Sequence, residues 1–272
     1  MVARLLVLFA VVAGLMATDA LAAARCEKLI ATGSADYPPF LWRDPANPRV
    51  LMGADADLLK QIGQELGLKI EILYSGSRAQ AQEDVRTGRA DLLIAARLTL
   101  AQLEQMDYIN PPIRQTLTHV WMHPQRPFPF AGWDDLLGRS AQSSSHTALS
   151  AEFDSFARQN LAVERSPTLE SAFEQLQQGK VEFVLAERYP GQAVAEQKGI
   201  SSELTLTVPA VSGAGLYLAL SHNSACNDAQ LRGQLTRKMT ELVGSGVPET
   251  LLQRNVQLWQ SQQVPAVGTQ KN

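Results

Sequence analysis

The sequence predicts an α/β protein of two similar lobes, each a mainly parallel sheet flanked by helices. Three observations predict it. Short apolar strands alternate with amphipathic helices along most of the chain, the order that builds parallel sheets. Residues 91–95 (DLLIA) form a continuous apolar run, the pattern of a strand buried on both faces. A helix–Gly–basic–acidic–strand pattern also occurs twice, as EDVRTGRADLLIAAR over 83–97 and as EQLQQGKVEFVLAER over 174–188. Composition agrees: of 272 residues, 45% are hydrophobic and 19% charged, which describes a well-cored chain rather than a disordered one. With 24 Lys and Arg against 27 Asp and Glu, nothing favours nucleic acid. Two cysteines and four scattered histidines exclude a disulfide scaffold and a cysteine-ligated zinc site, so no metal or cofactor is expected.

Taken in order, residues 1–24 read as a cleaved export signal. Arg4 opens it, 5–17 are nearly all apolar, and Ala20-Leu21-Ala22 offers small residues at the cleavage spacing. The apolar run falls short of the roughly 20 residues that span a bilayer; an uncleaved anchor is the alternative. Export makes Cys26 and Cys226 candidates for one disulfide, with two free thiols as the other possibility. Lys28–Thr32 is a short buried strand, followed by a turn-rich loop over 33–48 that carries Tyr37-Pro38-Pro39-Phe40. A helix over 55–66 presents Leu58, Leu59, Ile62 and Leu66 on one face and stops at Gly67. A strand over 69–74, a helix over 79–87 ended by Gly88, and the strand over 91–95 complete the first unit.

Residues 107–122 have extended character, and the prolines over 124–129 then break regular structure near the expected boundary. Helices over 149–159 and 169–178 and a strand over 181–186 form the second unit. Residues 205–211 are expected to be the return crossing, and 216–220 a strand. A helix over 227–243 carries Leu231, Leu235, Met239 and Leu242; after Gln260 a polar tail is expected. Ligands in open α/β sheets bind beyond the carboxyl ends of the strands. That rule places Arg97 and Thr99 on one lip of a cleft, and Glu187 with Arg188 on the other.

These landmarks resemble the type II periplasmic solute-binding proteins, family 3, which deliver polar amino acids to ABC importers. The matching pieces are Tyr37-Pro-Pro-Phe40, Gly53-Ala-Asp-Ala-Asp-Leu-Leu59, Gly88-Arg-Ala-Asp91, Thr99, Asp107-Tyr-Ile-Asn-Pro111 and Gly179-Lys-Val-Glu182, in order over nearly the whole chain after the export signal. The resemblance implies a periplasmic-binding-protein-like fold whose lobes are joined by two hinge strands and close on a ligand. Lobe 1 would comprise 25–110 and 217–260, the hinge crossings and lobe 2 would take 111–216, and 261–272 would be a disordered tail. It further implies a periplasmic monomer, not an enzyme, that captures a small polar, amino-acid-like or carboxylate ligand and meets an ABC permease in the inner membrane.

The same resemblance implies a set of ligand contacts and exposes departures from it. Tyr37 aligns with a ring that covers the ligand, with loop packing as its other reading, and Ser34 lies in the same loop. Where the family has the arginine that grips an α-carboxylate, this chain has Gln102, which lacks the charged bidentate fork. Arg97, two residues before Thr99, is a candidate replacement; its other reading is a solvated or carboxylate-paired arginine. Glu187 stands where an Asp pairs with an α-ammonium, or else in a surface ion pair with the adjacent Arg188. The turn 143–147, with His146 and Thr147, aligns with a carboxylate-binding helix approach, and a solvated loop is the alternative for His146. Asp55 and Asp57 read as capping and first-turn residues of their helix. His119 and His123 share a face but lack a third ligand for a metal. Two rivals remain: a ligand sensor docked on a membrane signalling protein, favoured by the changed Gln102 position, and a periplasmic cyclohexadienyl dehydratase-like enzyme, which the resemblance implies because a few proteins of this fold are such enzymes.

Overall fold

In the computed structural model the described residues are 26–144, 147 and 149–263; the expected export signal, His146 and residues 264–272 lie outside them. Strand β1 (Lys28–Thr32) leads into the Tyr37–Phe40 loop, which is followed by the small antiparallel pair β2 (Trp42–Arg43) and β3 (Leu51–Met52). Helix α1 (Ala54–Leu66) buries Leu58, Leu59 and Ile62 and ends at Gly67, whose φ of 69° is the left-handed conformation that closes a helix. β4 (Lys69–Ile72), α2 (Arg78–Arg86), β5 (Leu92–Arg97) and the single turn α3 (Leu100–Leu103) follow. The 17-residue strand β6 (Met106–Met122) then carries the chain away.

Beyond it come β7 (Ser140–Ser144), α4 (Ala151–Asn160), β8 (Ala162–Ser166), α5 (Leu169–Gln177) and β9 (Phe183–Glu187). Helix α6 (Arg188–Lys198) and the two-residue strand β10 (Thr205–Leu206) follow. β11 (Ser212–Ser221) returns the chain, and α7 (Ala229–Gly244) and α8 (Val247–Gln263) complete it.

The strands form one curled mixed sheet in the order β4-β1-β5-β11-β6-β9-β7-β8, with β10 added to β6. Its two ends are alike: β4, β1 and β5 are mutually parallel, as are β8, β7 and β9. Between these groups lies the antiparallel pair β11 and β6. β11 pairs with β5 as far as Leu216 opposite Arg97, whereas β6 pairs with β9 from Thr118 opposite Glu187. Residues 115–117 of β6 and 213–215 of β11 therefore bridge the two groups, and 213–215 read Gly-Ala-Gly, with little side chain to resist bending. Apolar packing follows the same division. One core gathers Leu29, Phe40, Ile62, Leu218, Leu235 and Leu252, and separate cores lie around Phe153 with Phe183 and around Trp121 with Phe173. At about 1.5–3 kcal/mol per large apolar side chain, each core orders its own half.

Most expected elements appear within one or two residues of their expected bounds, and four differences are informative. The return crossing is β11, not 205–211; Thr205 pairs instead with Met122 at the far end of β6. Helix α6 was not expected, because Pro190 and Gly191 interrupt its first turn, where both are tolerated. Gly191 is required there by packing, since a Cβ would lie 2.4 Å from the Trp121 ring. Helix α8 was also missed, and it runs to Gln263, into the segment expected to be a polar tail. Asp55 makes no capping hydrogen bond; it is 1% exposed and ion-paired with Arg114 of β6, a partner 59 positions away. Cys26 and Cys226 are disulfide-bonded, tying the segment before β1 to the segment before α7.

Candidate functional site

The site begins with the loop after β1. Tyr37 N–H donates to the Leu41 carbonyl, and the Phe40 and Leu41 amides return to the Tyr37 carbonyl, making a compact hairpin-like knot. That knot sits on the N-terminus of α1, where Ala54 N–H donates to Pro39 and Asp55 N–H to Phe40. The approach is close enough that Gly53 is required: its φ is 132°, and a Cβ would stand 2.4 Å from the Phe40 carbonyl oxygen. Helix α1 thus aims Tyr37 across the molecule. The Tyr37 hydroxyl donates to Glu187 Oε1 at 2.6 Å, joining the loop after β1 to the carboxyl end of β9. Burial pushes the Tyr37 hydroxyl well above its usual pKa, and the Glu187 charge adds to that shift. It remains a proton donor at any physiological pH.

Arg97 is positioned by an irregularity. Ala95 has φ of 55°, and the β5–β11 register shifts between Tyr217 and Ala219. A bulge of this kind re-aims the side chain beyond it. Arg97 Nη1 donates to the Thr147 carbonyl at 3.0 Å, and Nη2 stands 3.9 Å from Glu187 Oε1. Nε and Nη2 are buried without a hydrogen-bond acceptor. Arg97 also lines a cavity of about 20 Å³, room for about one water molecule, with Ser34, Tyr37, Arg78, Ala81, Gln82 and residues 93–96. Ser34 Oγ is likewise buried and unpartnered.

The structure therefore gathers Ser34, Tyr37, Arg97, Thr147 and Glu187, and holds Thr99 and Gln102 apart from them. Thr99 is exposed and caps α3, its hydroxyl accepting from Gln102 N–H at 3.3 Å. Gln102 Oε1 lies 2.9 Å from the Tyr108 hydroxyl, which also lies 2.6 Å from the Arg97 carbonyl. Gln102 thus steadies the strand end that carries Arg97. Thr147 turns its carbonyl, not its hydroxyl, to Arg97; the hydroxyl donates to the Leu185 carbonyl of β9. Glu187 is 3% exposed, so the surface ion pair with Arg188 is not its role. His119 is buried with Nδ1 bonded to the Thr207 carbonyl at 2.9 Å, within the second half.

Arg78, at the first position of α2, is the residue that sequence reasoning missed. It lines the same cavity as Arg97, and no hydrogen bond or ion pair engages its guanidinium among the described residues. Burial, and then the Arg97 charge, lower its pKa to about 10. The available signal was its place beyond the carboxyl end of β4, the rule that also placed Arg97. A larger cavity of about 660 Å³ adjoins on the other side of Tyr37 and Glu187, and reaches Thr168 of the second half and Trp259 of α8.

Two strand-linked α/β halves that meet through buried polar side chains define a two-lobed, periplasmic-binding-protein-like fold. The chain belongs to the bacterial extracellular solute-binding proteins, family 3, whose sequence profile matches residues 29–251. Among solved structures it is similar to a histidine kinase sensor domain with similarity to periplasmic binding proteins (19% identity, TM-score 0.68, covering 85% of this chain and 96% of that one). It is similar to the GluR0 ligand-binding core in complex with L-glutamate (19% identity, TM-score 0.68, 86% and 99% covered). It is also similar to an amino acid ABC transporter substrate-binding protein of Streptococcus pneumoniae bound to L-arginine (17% identity, TM-score 0.66, 86% and 96% covered). No curated protein matches the sequence.

Proposed function

We propose that this chain is an exported receptor that closes its two lobes around a small polar, amino-acid-like or carboxylate solute and presents it to an ABC permease in the inner membrane. Lobe 1 is 25–110 with 217–260, and 111–216 supply the hinge crossings and lobe 2. Residues 1–24 direct export to the periplasm, and the mature chain acts as a monomer without turnover. Ser34, Tyr37, Arg97 and Glu187 form the ligand contacts, with Thr147 facing Arg97 and His146, outside the described residues, as a further contact; Thr99 and Gln102 support the Arg97 strand end. The observation that carries this reading is the buried bridge between lobes: Tyr37 on Glu187 and Arg97 on the Thr147 carbonyl, beside donors that lack acceptors. A ligand that meets those leftover donors only when the lobes are together shifts the chain toward closure.

A thermal-shift panel of amino acids, opines, polyamines and small carboxylic acids tests the proposal. A true ligand at 100 times its dissociation constant stabilises the folded chain by about 2.7 kcal/mol. A panel in which no compound raises the melting temperature defeats the receptor reading. A second reading, a sensor partner of a membrane signalling protein, is favoured by the similarity to a histidine kinase sensor domain and by Gln102 in place of the family arginine. Pull-down of an importer permease rather than a receptor kinase from membranes of the source cell decides between them.

A further inference from the structure

The polar groups left over in the closed site all have the same character. Glu187 already has protein partners, since Oε1 accepts from Tyr37 and faces Arg97. The buried atoms without hydrogen-bond partners on the residues lining the cavity are Arg97 Nε, Arg97 Nη2, which has only its 3.9 Å approach to Glu187, and Ser34 Oγ; Arg78 adds a guanidinium with no acceptor among the described residues. Two of these are strong donors on one edge of one guanidinium, and the hydroxyl can turn its proton inward. Nε and Nη2 form the side edge of the guanidinium, two parallel N–H groups spaced to take two oxygens of one anion. Nη1, on the other edge, is already committed to Thr147. Two arginines against one glutamate also leave an excess positive charge at this site.

We infer that Arg78 and Arg97, with Ser34, form a twin-arginine cradle for a compact oxyanion that carries no ammonium group. The inference rests on the receptor reading and narrows it to a ligand class. An α-amino acid brings an ammonium that needs an acceptor, and the carboxylate expected to supply one already accepts from Tyr37 and is set against the Arg97 charge. A carboxylate or phosphate-type ion asks only for donors. The ligand oxygens take the Nε–Nη2 edge of Arg97, Arg78 neutralises the remaining charge, and Ser34 donates to the same anion. Both arginines line one cavity, and the Arg97 charge opposes the Arg78 charge, which a bound anion offsets.

The test titrates the purified chain with malonate, succinate and pyruvate as carboxylates, with inorganic phosphate and sulfate as tetrahedral ions, and with L-glutamate, L-glutamine and L-arginine as amino acids. Calorimetry gives affinity, and thermal melting gives the stability of each variant with no probe added. At least one ammonium-free anion binds, and the carboxylate and tetrahedral arms tell which geometry fits. Arg78→Gln lowers that affinity by about tenfold to 100-fold, and Arg78→Lys keeps part of it. With no probe present, Arg78→Gln melts at or above the wild-type temperature, because a half-buried cation with no carboxylate partner has been removed; a structural arginine would show the opposite. Amino acids binding more tightly than every ammonium-free anion, or Arg78→Gln leaving anion affinity unchanged, overturns the inference while leaving a receptor in place. An anion panel without any binder also overturns it, and the receptor reading is then judged on the wider thermal-shift panel alone.

Discussion

Replacing Arg114 by Met exposes the cost of the one carboxylate buried beneath the Tyr37 loop. Asp55 Oδ1 accepts from Arg114 Nε at 3.1 Å and Nη2 at 2.5 Å, while Oδ2 has no hydrogen-bond partner. The side chains are 0% and 8% exposed, and the guanidinium also lies 4.7 Å from the centre of the Phe40 ring. Met keeps most of the aliphatic packing over Phe40 but leaves Asp55 with no counter-charge. Removing one partner of a buried pair costs about 3–5 kcal/mol. For a chain of this size that lowers the melting temperature by about 6–20 °C. The loss depends on pH in a defined direction. Burial already raises the Asp55 pKa above its usual 3.8, against the pull of Arg114. A carboxyl raised in the folded state contributes stability that is present below its unfolded pKa and is lost as pH rises through the folded value. Without Arg114 the folded value rises further, so the deficit is small near pH 4 and reaches full size by pH 7. The double variant Asp55→Leu/Arg114→Met removes both charges and recovers most of the loss. Urea unfolding of the three proteins between pH 4 and 7 is the assay. A single variant that loses under about 1 kcal/mol, or a deficit that grows toward acid, refutes the reasoning.

Two further predictions concern how the halves are joined. Tyr37→Phe deletes the donor to a buried carboxylate and costs the closed form about 1–3 kcal/mol. Small-angle scattering should then show a more extended particle, and an unchanged profile with unchanged unfolding would remove the Tyr37–Glu187 bond as the closing contact. Reducing the Cys26–Cys226 bond, which spans 200 residues, frees a long loop and costs at most about 5 kcal/mol in the chain-entropy description. Because both cysteines join segments at the α7 and β1 end, anion titrations of the reduced chain should match those of the oxidised one; a changed affinity would place the bond in the binding machinery.

Local pattern made much of this fold legible. Lys28–Thr32, the α1 stripe and the apolar core of β5 follow from periodicity, and the doubled helix–Gly–strand pattern anticipates the near-mirror order β4-β1-β5 and β8-β7-β9. Arg97 and Glu187 came forward because strand ends mark ligand sites in open sheets, and Tyr37 through the resemblance to the solute-binding family. What escaped was set by distant partners. Ser77-Arg78-Ala79 reads as a polar helix start, and only the folded chain brings Arg78 to the cavity that Arg97 lines. The partner of Asp55 lies on β6, so its first-turn position suggested a cap. Helix α8 buries only a narrow stripe, Pro248, Leu252 and Asn255, too little to stand out from a polar tail.

That last helix alters how the molecule can move. Trp259 Nε1 donates to the Ala193 carbonyl of α6 at 3.3 Å, and Gln260 Nε2 donates to Glu196 at 2.8 Å. On its other side Gln262 accepts from Trp42 Nε1 at 3.0 Å, and the Trp42 and Trp259 rings meet edge to face at 5.5 Å. Two bridging strands alone permit both bending and twisting. A third tie, set away from them and made of separable contacts, leaves twisting blocked while it holds and frees both motions once it parts. A dye pair with one member attached near Gln263 and the other on α6 would therefore report the release of this tie rather than the bending of the strands, and would separate the two in time.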